Sequence, residues 1–121
     1  MPDIAIVEDD PSMCTALERL LRAAGFQVVA FPSAEEFLAR AGQERFRCLV
    51  LDIHLGGMTG FDLHEQLAAA GAGVPVIFIT AHDDVATRER ARKAGAAAYL
   101  RKPFDRADLL SAIHSALERA A

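Results

Sequence analysis

Glu8 and Asp9 close one short apolar run of this sequence and Asp52 closes another. Thr80 closes a third, and Lys102 follows a fourth. Three carboxylates gathered in one place repel, and cannot all ionise without a counter-charge. A hard divalent cation resolves this. Mg²⁺ prefers a few carboxylates completed by carbonyls and waters. The cation and Lys102 would make a positive site for a phosphate, and Thr80 would add a hydroxyl. Asp52 then lies between them as a carboxylate nucleophile, the kind that forms aspartyl phosphates. Phosphoryl transfer needs mostly positioning and charge neutralisation, and this set supplies both. Taken singly, each residue is ordinary. Asp52 has the type of an N-cap or turn residue. Glu8-Asp9-Asp10 suits a solvated turn before a helix, Thr80 a strand end, and Lys102 the surface. Only the joint arrangement is specific.

The elements that must bring these residues together alternate along the chain. Ile4-Ala5-Ile6-Val7 reads as a first strand. Asp10 and Pro11 then have the types of an N-cap and a first helical residue. Met13, Leu17, Leu20, Leu21 and Ala24 mark that helix's apolar face, with Cys14 beside them, and Gly25 its stop. Gln27 to Phe31 is a second strand. Ser33 and Glu36 have capping-box spacing before a short helix facing the core through Phe37, Leu38 and Ala41. Gly42 to Arg47 is a polar connection. Cys48 to Leu51 is a third strand, an apolar run bounded by turn signals and so buried on both faces. The Gly56-Gly57 loop leads to a helix from about Gly60 to Ala69 that buries Phe61, Leu63 and Leu67. Gly71 to Gly73 end it. Val76 to Thr80 is a fourth strand. A charged helix follows from about Asp84 to Ala94, with a thin apolar face of Val85, Ala91 and Ala94. Ala97 to Leu100 is a fifth strand. Asp105 caps a last helix with Leu109, Ile113 and Leu117 on one face.

Five strands alternating with five helices predict a doubly wound parallel α/β sheet. With right-handed crossovers, the expected form is a flavodoxin-like three-layer sandwich of strand order 2-1-3-4-5. Its crevice lies at the carboxyl ends of the first and third strands, where Glu8, Asp9 and Asp52 fall. The chain has 121 residues, of which 52% are hydrophobic and 25% charged. That suits one domain, 1–121, burying roughly two thirds of its unfolded surface without disulfide or structural metal. Cys14 and Cys48 have no ligand-like spacing and read as reduced thiols of a cytoplasmic protein. No apolar run approaches the ~20 residues of a membrane span. The net charge of −4 gives the domain no reason to bind nucleic acid.

In the same order stand Val7-Glu8-Asp9-Asp10, Asp52 with Met58-Thr59-Gly60, Ile79-Thr80-Ala81, Ala94-Gly95-Ala96 and Lys102-Pro103-Phe104. Through them the sequence resembles, over its whole length, the receiver domain of bacterial response regulators. Phe31 to Leu38 and Thr80 to Val85 look most like the nitrogen-fixation regulator subfamily, whose receivers usually precede a helix-turn-helix DNA-binding domain. The resemblance implies that Asp52 is the phosphoacceptor for a sensor histidine kinase. It implies that Asp9 and Asp52 bind Mg²⁺, with Mn²⁺ as a substitute. Glu8 would act directly or through water, and the backbone carbonyl of His54 would complete the protein ligands. Thr80 would hydrogen-bond the phosphoryl group, Lys102 would pair with it, and Tyr99 would be the aromatic that moves inward with Thr80.

Such a domain is a switch and not a turnover enzyme. Its phosphorylation adds about −1.5 to −2 charge at Asp52. The thinly packed fourth helix and the Tyr99 strand are the expected moving parts. They would form an output face for a phosphorylation-dependent homodimer or a downstream domain controlling transcription. The sequence departs from the family in Glu8, where Asp is commoner, and in Gly56, where proline is usual. Gly-Gly there predicts a more mobile loop. His54 and His82, two residues after Asp52 and Thr80, are expected as exposed loop residues. In the family such neighbours affect the phosphoryl lifetime. Two other classes fare worse. An FMN module needs a phosphate-cradling loop after the first strand, where this chain has acids. A haloacid-dehalogenase type of phosphohydrolase wants a second acid where His54 stands.

Overall fold

The computed structural model describes residues 3–40, 45–71 and 73–120. Along them run β1 (Ile4–Val7), α1 (Pro11–Ala23), β2 (Val28–Phe31), α2 (Ala34–Arg40) and β3 (Cys48–Asp52). Then come α3 (Gly60–Ala69), β4 (Val76–Thr80), α4 (Val85–Lys93), β5 (Ala98–Arg101) and α5 (Arg106–Ala120). The strands form one parallel sheet in the order β2-β1-β3-β4-β5, as expected. Ala41 of the expected second helix, Gly42 to Glu44 of the connection and Ala72 lie outside the described residues.

Successive strand residues point to opposite faces of a sheet. On one face Ile4, Ile6, Val50, Ile77 and Ile79 pack against Leu17 and Leu21 of α1 and Leu109 and Ile113 of α5. On the other, Val7, Leu51 and Phe78 meet Phe37 of α2, Leu63 of α3 and Ala91 of α4. Both faces are covered, which is why β1, β3 and β4 read as unbroken apolar runs. The result is the expected three-layer sandwich.

The local signals act as their chemistry dictates. Asp10 caps α1, its carboxylate accepting from the Ser12 and Met13 amides. Ser33 Oγ accepts from the Glu36 amide at 3.1 Å. Asp84 caps α4 through the Thr87 amide at 2.7 Å. Thr59 and Asp62 form a full capping box on α3 that the sequence reading did not single out. Cys48 is buried and Cys14 half-buried, and neither is in a disulfide.

Three expectations need correction. Ala24 is exposed at the end of α1 rather than packed on its apolar face. β5 sits one residue later than expected, at Ala98–Arg101. There the Lys102 amide reaches the Thr80 carbonyl at 2.7 Å and ties the lysine to the end of β4. Val85 is 80% exposed, not part of a core face. Six residues separate it from buried Ala91, about 120° around a helix of 3.6 residues per turn. The two cannot share a stripe. Ala91 is the buried residue of α4. The helix's flank is instead held by Arg90, whose guanidinium stacks 4.5 Å from the Phe61 ring centroid.

Candidate phosphoacceptor site

Parallel register puts the strand ends at one edge. Val7 pairs with Leu51, Asp52 with Ile79, and Thr80 with Arg101. Glu8 and Asp9 leave β1 at that edge, and the Glu8 amide still bonds to the Phe31 carbonyl at 3.1 Å. Glu8 and Asp52 are buried, while Asp9 is exposed. One oxygen from each of the three carboxylates can be chosen so that all lie within 4.8 Å of one another. Lys102 Nζ reaches across to both buried acids, 2.5 Å from Glu8 Oε1 and 3.2 Å from Asp52 Oδ2.

One ammonium among three ionised carboxylates leaves two negative charges, the charge that one divalent cation cancels. Burial pushes the Glu8 carboxyl up to about 7. The adjoining Asp52 carboxylate pushes the same way, and Lys102 pulls against them. Burial alone would lower the Lys102 ammonium, but its bonds to Glu8 and Asp52 win and hold it above its ordinary value. The donor set is all oxygen, as a hard cation requires. These residues can therefore hold a divalent metal beside Asp52.

Asp52 keeps one oxygen anchored. The His54 amide donates to Asp52 Oδ1 at 3.0 Å, leaving Oδ2 for Lys102. The loop after it is tightly built. The Gly60 amide donates to the Ile53 carbonyl at 2.9 Å. A Cβ on Gly60 would stand 2.6 Å from the Asp52 carbonyl oxygen, so this helix start approaches the end of β3 as only glycine can. Gly57 has φ +136, a backbone conformation that L side chains rarely adopt. Glycine at 57 is thus a requirement of the loop's path, whereas a Cβ at Gly56 would meet only Asp9 Oδ2 at an ordinary 3.6 Å.

Thr80 is fully buried, but its hydroxyl is engaged elsewhere. It accepts from the His82 amide at 2.9 Å and lies 3.2 Å from His54 Nδ1. The two imidazoles meet edge to face, centroids 4.8 Å apart. Tyr99 donates to Asp83 Oδ1 at 3.0 Å, in the loop after β4. So the fold gathers Glu8, Asp9, Asp52 and Lys102 directly, and holds Thr80 and Tyr99 nearby in other bonds. The His54 ring and Asp83 were not foreseen as partners. Their signal in sequence is only that they follow Asp52 and Thr80 by two and three residues.

The model for the response regulator receiver domain matches residues 4–114. This chain belongs to the response-regulator receiver family. The receiver is 44% identical over 116 residues to nodulation protein W of Bradyrhizobium diazoefficiens, covering 96% of this chain and 51% of that protein. It is 35% identical over 117 residues to the transcriptional regulatory protein FixJ of the same organism, covering 97% of the chain and 57% of FixJ. The crystal structure named FixJ-N superposes with a TM-score of 0.89 at 35% identity, covering 98% of the receiver and 94% of that chain. The likeness to the nitrogen-fixation regulators is therefore carried by sequence and fold together. The receiver spans about half the length of the curated relatives it matches. Among the described residues, no helix is long and apolar enough to cross a membrane.

Proposed function

We propose that residues 1–121 are a receiver that takes a phosphoryl group from a sensor histidine kinase onto Asp52. An Asp52 carboxylate oxygen attacks phosphorus, the P–N bond to the kinase histidine breaks, and its electron pair returns to that imidazole. Glu8, Asp9, Asp52 and the His54 carbonyl would hold Mg²⁺, or Mn²⁺ in its place. The metal's chemistry is to neutralise phosphoryl oxygens. Lys102 leaves the Asp52 carboxylate for the incoming phosphoryl group, and Thr80 turns its hydroxyl toward it. The observation that carries this reading is Lys102 Nζ bonded to both Glu8 and Asp52 beside a three-carboxylate cluster.

The output follows from what the phosphoryl group disturbs. Thr80 and Tyr99 adjoin α4, which is held by few buried residues. We assign the α4-β5-α5 face as the output surface, joining two receivers or docking a further domain that controls transcription. A C-terminal helix-turn-helix domain is the reading that the half-length match to regulators such as FixJ supports. The receiver itself works in the cytoplasm as a switch rather than a turnover enzyme. Intact mass after incubation with acetyl phosphate and Mg²⁺ tests the core of this. Wild type gains one phosphoryl group, EDTA abolishes the gain, and Asp52→Ala shows none. An equal gain in Asp52→Ala would move the phosphoacceptor elsewhere.

A further inference from the structure

Thr80 Oγ1 sits between two nitrogen groups, the His82 amide and His54 Nδ1. The His82 amide can only donate, and takes one lone pair of the hydroxyl at 2.9 Å. His54 Nδ1 stands 3.2 Å away on the other side. A hydroxyl has a single proton. A phosphoryl group presents only acceptor oxygens, so Thr80 can bond to it only through that proton. The His54 ring has its own restraints. Its backbone amide is tied to Asp52 Oδ1 at 3.0 Å, and its face or edge is packed against His82. The ring is therefore held on the threonine by groups at both strand ends.

We propose that His54 Nδ1, 3.2 Å from Thr80 Oγ1, accepts the Thr80 proton and so competes with the phosphoryl group for the one proton Thr80 has. His54 is then a positioning residue. It holds Thr80 in the unphosphorylated arrangement and sets how readily the switch is thrown. The proposal rests on reading Asp52 as the phosphoacceptor. One neutral hydrogen bond must break before Thr80 can serve the phosphoryl group. Removing it in advance favours the switched state by the equilibrium worth of such a bond, about three- to tenfold.

The test is beryllofluoride binding, as a phosphoryl mimic, at saturating Mg²⁺. Tyr99 is the only tyrosine and there is no tryptophan, so tyrosine fluorescence reports from one place, bonded to Asp83 three residues after Thr80. His54→Phe keeps a ring against His82 but puts carbon where Nδ1 was. His54→Asn returns an amide oxygen close to the Nδ1 position. The Phe variant binds beryllofluoride about three- to tenfold more tightly than wild type, the value of one released neutral hydrogen bond. The Asn variant returns to wild type. Equal or weaker binding by His54→Phe overturns the proposal, and so does an Asn variant that behaves like Phe. Nitrogen NMR of His54 adds a direct reading. Nδ1 is an unprotonated acceptor in the free protein and loses its hydrogen bond with beryllofluoride. A protonated Nδ1 in the free protein overturns the assignment of the proton. If wild type binds no beryllofluoride at all, the phosphoacceptor reading falls and takes the proposal with it. Wild-type binding with no effect of His54→Phe removes only the competition.

Discussion

The Tyr99 phenol donates to the Asp83 carboxylate at 3.0 Å, and Arg88 holds the other oxygen of that carboxylate at 2.7 Å. One acid thus ties β5 to the first turn of α4, the two elements expected to move together.

That bond has a readout in the titration of the sole tyrosine. Burial first, and then the bond to Asp83, push the Tyr99 phenol up to about 12. Tyrosinate absorbance should rise with a midpoint near 12 in wild type. In Asp83→Ala the midpoint should move toward the ordinary value of about 10. The folded value lies above the unfolded one. The stability Tyr99 contributes is therefore complete below about pH 10, and is lost as pH rises through about 12. Unchanged titration in Asp83→Ala would mean that burial alone sets the shift.

The raised Glu8 makes metal binding depend on pH. Its folded value of about 7 exceeds the ordinary 4.5, so in metal-free protein its contribution to stability is complete below pH 4.5. That contribution is lost as pH rises through about 7. In the proposed site Mg²⁺ would take the ionised carboxylate and release the proton. Affinity for Mg²⁺ should therefore fall below about pH 7, approaching tenfold per pH unit. Calorimetry at several pH values measures this. Glu8→Gln should bind more weakly at high pH, with a flatter profile.

Gly60 and Gly73 make a matched pair of substitutions. A Cβ at Gly60 would meet the Asp52 carbonyl oxygen at 2.6 Å and the Ile53 Cα at 3.0 Å, both backbone atoms. Gly60→Ala should cost about 2 kcal/mol or more in urea unfolding, the scale of overpacking a tight site. It should also weaken Mg²⁺ binding, because the strand end carrying Asp52 must shift. Gly73 has open space where its Cβ would go. Gly73→Ala should stay within about 0.5 kcal/mol of wild type.

Val85 tests the output face. It is 80% exposed at the start of α4, next to the loop that holds Tyr99. On the proposed output face, a charge at this apolar position would oppose an apolar contact between two receivers. In sedimentation with beryllofluoride and Mg²⁺, wild type should shift toward dimer and Val85→Asp should not. Both should be alike without beryllofluoride. A Val85→Asp protein that still dimerises would place the contact elsewhere on the receiver.

By itself the sequence determined the alternation of elements, the caps at Asp10 and Ser33, and the sheet edge where the acids meet. These follow from signals a few residues long: apolar runs, capping types, and strand ends aligned by parallel pairing. The gathering of Glu8, Asp9, Asp52 and Lys102 was legible because strand order and register bring their backbone positions together. Tertiary structure decided what the side chains do there. Lys102 reaches Glu8 from 94 positions away, and Thr80 meets His54 across 26. Tyr99 turns to Asp83, and Val85 turns to solvent. Each of these depends on rotamers and loop paths set by neighbours remote in the chain. Periodicity names the face a residue occupies, but one buried hydroxyl with a single proton takes its partner from the packing around it.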